Sequence, residues 1–181
     1  MAAESNPVEL GLACPQFSLP AAEGGTVSLD DFASVPVFGV FFYCNHCPYA
    51  QAIEGRLIAL EEDYRDRGFR FVAISSNDAV SYPDDGFEQM KKRARARGYG
   101  FPYLYDETQS VARAFNAVCT PDLYVFDRER RLAYHGRLDD SPRDADKVKR
   151  RELRDAVDAL IAGKKVEGVQ HACVGCSIKW K

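Results

Sequence analysis

Apolar and polar positions follow three rhythms along the chain, and each rhythm predicts an element. Val35 to Tyr43 is an unbroken apolar run dense in Val and Phe. It is too short for a helix and reads as a strand covered on both faces. From Pro48 to Arg67 the apolar residues Tyr49, Ile53, Leu57, Leu60 and Tyr64 recur at steps of three and four, which marks one face of a helix. Gly68 is a natural stop. Phe69 to Ser75 reads as a second buried strand, and Phe87 to Arg97 as a polar helix ending at Gly98. A strand–helix–strand unit of this kind is parallel with a right-handed crossover.

Farther on, Gln109 to Asn116 predicts a short helix. Asp122 to Phe126 and Leu132 to His135 are separated only by the charged turn Asp127 to Arg131, so they predict an antiparallel hairpin. Arg150 to Ala162 predicts an amphipathic helix, with Leu153, Val157, Leu160 and Ile161 on one stripe and Gly163 closing it. Phe17 to Leu19 and Thr26 to Leu29 flank Gly24-Gly25 and predict a small N-terminal hairpin. Lys164 to Lys181 shows no periodicity. There is no internal repeat and no Pro-, Gly- or Ser-rich linker. The economical expectation is one α/β domain over residues 1–163 and a loose tail over 164–181.

Composition narrows the function classes. With 46% hydrophobic residues in 181, the chain can bury a sizeable core. A net charge of −3 leaves no footprint for nucleic acid or an anionic membrane. The basic runs around Lys91 to Arg93 and Lys149 to Arg151 fall on polar helix faces and read as solvated surface. No segment reaches the ~18 apolar residues of a membrane helix. The N-terminus lacks the basic-then-apolar pattern of a secretory signal, so a cytoplasmic location is expected. Static disulfides are rare there. The six cysteines are therefore buried hydrophobes, metal ligands or redox groups, and their placement has to decide.

Cys44-Asn45-His46-Cys47 lies where the first buried strand meets the first long helix, with Pro48 next. Free backbone N–H groups and the macrodipole at a helix N-terminus favour a thiolate, and the thiolate is the nucleophile in disulfide exchange. On this placement Cys44 is expected to have a low pKa, with His46 adding charge or a hydrogen bond. A C-x-x-C beside a βαβ pattern is a redox signature. The alternative is half of a zinc site.

The strings CNHCPYA, SSND, FPYLYDETQ, TPDLYVFD, HGRLDD and GCSIKWK run from about Phe41 to Lys181. On them the chain resembles the thioredoxin-like redoxin family, including relatives of alkyl hydroperoxide reductase and thiol-specific antioxidant. More narrowly it is similar to bacterial proteins described as probable thiol–disulfide isomerase or thioredoxin. The resemblance implies a thioredoxin fold, a central mixed sheet flanked by helices, extended by the N-terminal hairpin and the tail. It implies that Cys44 attacks and Cys47 resolves, and that Pro121 is cis, with Thr120 and Pro121 facing the pair and orienting substrate. It requires no cofactor. The partners implied are a disulfide-containing protein or small thiol and a reductase or oxidase.

Two departures bear on activity. A peroxiredoxin carries P-x-x-x-T-x-x-C, and relative to Cys44 those positions hold Val37 and Phe41. Thiol-dependent peroxidase (antioxidant) activity is therefore the second expectation, and a zinc-binding or protein-interaction module the third. Asn45-His46 replaces the Gly-Pro of thioredoxin itself, which leaves the redox direction open.

The hairpin geometry predicts that Gly136 lies on the rim and lets a substrate backbone approach, with Arg137, Asp139 and Asp140 beside it. The tail pair Cys173 and Cys176 has three readings: an internal dithiol shuttle, a four-thiolate zinc site with the first pair, or a docked tail with idle thiols. Cys119, two residues before Pro121, is either a third redox thiol or a small buried hydrophobe. Cys14 reads as structural, and His135 and His171 have no partner motif.

Overall fold

A computed structural model describes residues 2–181. The elements in chain order are strands β1 (Ala2–Glu4), β2 (Ser18–Pro20), β3 (Thr26–Ser28) and β4 (Val37–Phe42), then helix α1 (Pro48–Tyr64) and strand β5 (Phe69–Ser75). They continue with α2 (Phe87–Arg97), β6 (Tyr103–Tyr105), α3 (Ser110–Ala114), β7 (Cys119–Thr120), β8 (Asp122–Phe126), β9 (Leu132–His135), α4 (Glu152–Ile161) and β10 (Val174–Ser177).

The central sheet has the order β6-β5-β4-β8-β9. β4 and β5 are parallel, as the helix between them requires, and β8 joins β4 antiparallel. All six residues of β4 are buried because it is covered on both faces. Val37 and Phe41 face a core made with α1 (Ile53, Leu57) and α4 (Leu153, Val157). Phe38, Val40 and Phe42 face a second core with Leu19, Leu29 and Phe115.

β5, α2, β8 and β9 occupy the ranges their sequence patterns predict. The other helices are shorter than predicted at their ends, where first and last turns lack intrahelical partners. β6 has no counterpart in the sequence reading.

The tail is not loose, which corrects the sequence expectation. β10 is the middle strand of a second sheet of order β1-β10-β7. It pairs antiparallel with both neighbours, Ala2 opposite Cys176 on one side and Cys176 opposite Thr120 on the other. Further bonds fasten the segment: Ser5 N–H to the Cys173 carbonyl at 3.0 Å, Ile178 N–H to Val118 at 2.8 Å, and Asp78 N–H to Lys179 at 2.8 Å. Short strands carry little signal of their own. This one exists because two remote segments satisfy its backbone groups.

Candidate active site

Cys44 follows β4, and Cys47 is the N-cap of α1 with Pro48 at the first helical position. This is the strand-to-helix junction expected from sequence. Both sulfurs are fully buried, at 0% exposure. The Thr120–Pro121 peptide is cis. Thr120 touches both cysteines: its Oγ1 lies 3.1 Å from Cys44 Sγ, and its carbonyl lies 3.1 Å from Cys47 Sγ and accepts from it when that thiol is protonated. The structure thus brings together Cys44, Cys47, Thr120 and Pro121.

The dipeptide between the cysteines is clamped by Asp85, on the loop before α2. Asp85 Oδ1 accepts from Asn45 N–H at 2.7 Å and His46 N–H at 3.2 Å, and Oδ2 accepts from Asn77 Nδ2 at 2.7 Å. The His46 ring bonds Oδ2 through Nδ1 and stacks on Tyr82. Tyr103 OH donates to Asn45 Oδ1 at 3.1 Å. Sequence reasoning missed Asp85; the SSND and PDD strings around that loop were its only trace.

The surroundings act in opposite directions on the two thiols, whereas the sequence predicts a low value at Cys44. Cys47 is pulled down to about 5: it accepts a hydrogen bond from the Cys44 thiol, and against the cost of burial it also accepts from the Cys176 thiol and from the N–H groups of Ala50 and Cys176. Cys44 is held well above its ordinary range, by the proton it gives to Cys47, by burial and by the nearby charge of Asp85. The helix N-terminus acts on Cys47, which lies closer to it than Cys44. The His46 ring turns to Asp85, its hydrogen-bond partner.

Cys44, His46 and Asp85 have ligand atoms within 4.8 Å of one another, a spacing that suits a metal ion. The carboxylate of Asp85, however, already accepts four hydrogen bonds, from Asn45, His46 twice and Asn77. The cluster is satisfied as a hydrogen-bond network.

The other predicted rim residues are occupied internally. Gly136 is covered by the tail: a Cβ there would lie 2.7 Å from the His171 carbonyl, so no substrate backbone has room. Arg137 pairs with Glu152 at 2.5 Å and Asp139 with Arg56 at 2.6 Å, while Asp140 accepts from Lys149 and Arg150 N–H at 2.8 and 3.0 Å. His135 is paired after all, Nε2 to Asp122 Oδ1 at 2.7 Å in the core.

The remaining sulfurs separate. The Cys173 thiol donates to the Gly136 carbonyl at 3.0 Å. Cys119 is buried and donates to the Pro121 carbonyl at 3.7 Å, a weak bond. Burial pushes both thiols up. Cys14 is buried and is pushed up to about 12 by burial. Cys176 alone among the six is not fully buried, and it faces Cys47. Among the described residues the tail pair does not come together as one dithiol, and no four-thiolate cluster forms around the first pair.

Among the described residues no helix is long and apolar enough to cross a membrane. The AhpC/TSA family model matches residues 10–135. No curated protein matches the chain. An uncharacterized conserved protein from Geobacillus kaustophilus is 48% identical, with a TM-score of 0.95 over 100% of this chain and 97% of that one. A hypothetical protein from Sinorhizobium meliloti 1021 is 44% identical, with a TM-score of 0.94 over 98% of each. The thioredoxin domain of a thiol-disulfide oxidoreductase from Bacteroides vulgatus shares the fold at 19% identity and a TM-score of 0.61, over 71% of this chain and 89% of that one. Peroxidoxin BcpB from Mycobacterium tuberculosis does so at 19% and 0.60, over 86% and 96%. The fold is thioredoxin-like.

Proposed function

The chain belongs to the AhpC/TSA family, a thioredoxin-like redoxin family of oxidoreductases, and on that premise we propose that it is a thiol–disulfide oxidoreductase working through Cys44 and Cys47. The observation that carries the reading is the pair itself: two buried thiols at the start of α1, with Thr120 of the cis Thr120–Pro121 peptide against both.

The exchange follows from where the charge sits. The Cys47 thiolate attacks one sulfur of a substrate disulfide, and the other substrate sulfur leaves as a thiolate and takes up a proton. Cys44 then gives up its proton and attacks Cys47 Sγ. The first substrate sulfur leaves with that proton, and a Cys44–Cys47 disulfide remains. Two electrons have passed to the substrate. This order is the reverse of the one the family resemblance implies. His46, between the two cysteines, is fixed by Asp85 through its ring and its backbone N–H. Thr120 holds both sulfurs in register, and substrate is a protein disulfide or a small thiol compound.

A thiol-dependent peroxidase is the second reading. The Thr120 hydroxyl favours it, since it stands 3.1 Å from Cys44 although Phe41 occupies the place of the peroxiredoxin Thr.

The deciding experiment measures turnover of a small disulfide and of hydrogen peroxide by the reduced protein, followed by peptide mapping. Disulfide turnover that leaves Cys44 linked to Cys47 is the expected result. Faster turnover of peroxide than of disulfide selects the second reading. A protein that consumes neither, and keeps both thiols free, removes both.

A further inference from the structure

β10 closes the site. It lies along β7 with Cys176 opposite Thr120, so Thr120 is held between the Cys44–Cys47 pair and the tail strand. The approach is too close for any side chain at Gly175, where a Cβ would lie 2.0 Å from the Thr120 carbonyl oxygen. With β10 seated, neither sulfur of the pair has any exposed surface. Cys176 is only part-buried; it packs against the core cluster that holds Cys44 and Cys47, and it stands opposite Thr120, whose carbonyl touches Cys47 Sγ. Cys44 and Cys47 are thus sealed inside, and Cys176 alone of the three sulfur-bearing residues reaches solvent.

We propose that Cys176 is a third redox residue, so that Cys47 forms alternative disulfides with Cys44 inside and with Cys176 outside. The proposal rests on the reading of Cys44 and Cys47 as the exchanging pair. Starting from the Cys44–Cys47 disulfide, the Cys176 thiolate attacks Cys47 Sγ. The Cys44–Cys47 bond breaks as the Cys47–Cys176 bond forms, and Cys44 leaves with the proton Cys176 gave up. No electrons enter or leave in this step. A thiolate of an external dithiol then attacks the half-buried Cys176 Sγ, and Cys47 departs as the thiolate. Cys47 is the best leaving group of the three because its charge is the best stabilised. The second thiol of the reductant displaces Cys176, leaving the reductant oxidised by two electrons and the three cysteines reduced. Oxidation buried at Cys44–Cys47 thereby reaches a reductant without β10 leaving its place.

Trypsin makes the test direct. Arg56 is the first basic residue, so Cys44 and Cys47 stay on peptide 1–56, while Cys173 and Cys176 fall on 166–179. The whole protein carrying Cys44→Ser and Cys173→Ser is oxidised with a small disulfide and mapped without reduction. More than half of the molecules should carry 1–56 linked to 166–179, with fragmentation placing the link at Cys47 and Cys176. A second measurement leaves the pair intact. Wild-type oxidised protein should show the same linked peptides in a minor fraction that vanishes in Cys176→Ser, and that variant, once oxidised, should be reduced by dithiothreitol ~10-fold or more slowly. A wild type that forms Cys44–Cys47 readily but never the linked peptides, with Cys176→Ser reduced at the wild-type rate, overturns the relay and leaves the pair standing. A wild type that forms neither disulfide overturns the relay together with the reading beneath it.

Discussion

The chain carries the C-x-x-C spacing twice, and the backbone gives the two copies opposite chemistry. Cys44 and Cys47 span the turn into α1, where the chain curls and the two sulfurs share a proton. Cys173 and Cys176 enclose the start of an extended strand, where side chains alternate between faces and residues three apart point oppositely. Three extended residues also separate their Cα atoms by about 10 Å, beyond the ~7 Å that a disulfide spans. So the Cys173 thiol goes to the Gly136 carbonyl and the Cys176 thiol to Cys47. Identical spacing gives two neighbouring thiols at a helix N-terminus and two separated thiols in a strand.

The sharpest way to break this comparison is to remove one sulfur from each copy. Cys47→Ser should lower disulfide turnover by at least ~10³-fold, because it removes the attacking sulfur of the Cys44–Cys47 pair. Cys173→Ser should leave turnover within about twofold. Comparable losses in the two variants would mean that the tail copy works as a dithiol after all.

Loosening the tail strand comes next in size. Gly175→Ala drives a methyl into the Thr120 carbonyl, and backbone cannot yield as a side-chain tip can. The expected cost is about 1–3 kcal/mol, seen as a lower Tm. Alkylation of Cys47 by iodoacetamide should accelerate, since β10 is what covers it. Unchanged alkylation with a lowered Tm would show that another segment seals the site.

Much of this was legible in the sequence, and the division has a physical cause. β4 and β5 are long apolar runs, and α2 ends at a glycine in the left-handed region, Gly98 at φ 65°, so local pattern suffices to bound them. The Cys44–Cys47 pair was also readable as a local string at an element boundary, and the cis Thr120–Pro121 opposite it was implied by the family resemblance. β1, β6 and β10 are three or four residues long, and β1 and β10 meet across almost the whole chain, Ala2 with Cys176. No window of sequence contains that pairing. Asp85 was missed for the same reason: its partners Asn45 and His46 lie some 40 residues away. Which sulfur carries the lower pKa depends on groups brought in from Asp85 and Thr120, and no local string records those.

Electrostatics offers a smaller and more graded test. Thiolate absorbance of the reduced protein should show one step with a midpoint of about 5, assigned to Cys47, and no second step from Cys44 near neutral pH. The sign for stability follows. Cys47 is more acidic folded than unfolded, so its contribution is present above its ordinary thiol range and is lost as pH falls through about 5. Cys44 is less acidic folded, so its contribution is full below the ordinary range and is lost as pH climbs through its raised folded value. Relative to a Cys44→Ser/Cys47→Ser double variant, the reduced protein should gain stability from pH 5 to about 9 and lose it beyond. Asp85→Asn should bring the Cys44 step down while leaving the Cys47 step in place. A first step that moves instead would assign the low value to Cys44.

The smallest expected effect falls on the buried tail thiol. Cys173 is 2% exposed and lies beside Leu138 and Tyr134 in the core. Cys173→Ala removes the sulfur and its bond to the Gly136 carbonyl, leaving that carbonyl unpaired and a small void. Together these should cost about 1–2 kcal/mol, read as a shift in the denaturant midpoint at constant m-value. Cys173→Ser keeps a donor for the carbonyl and should recover part of that loss. If Cys173→Ala altered the reduction potential of the Cys44–Cys47 pair as well as stability, the two copies would be coupled through the tail, and their separation into a reactive pair and a structural thiol would fail.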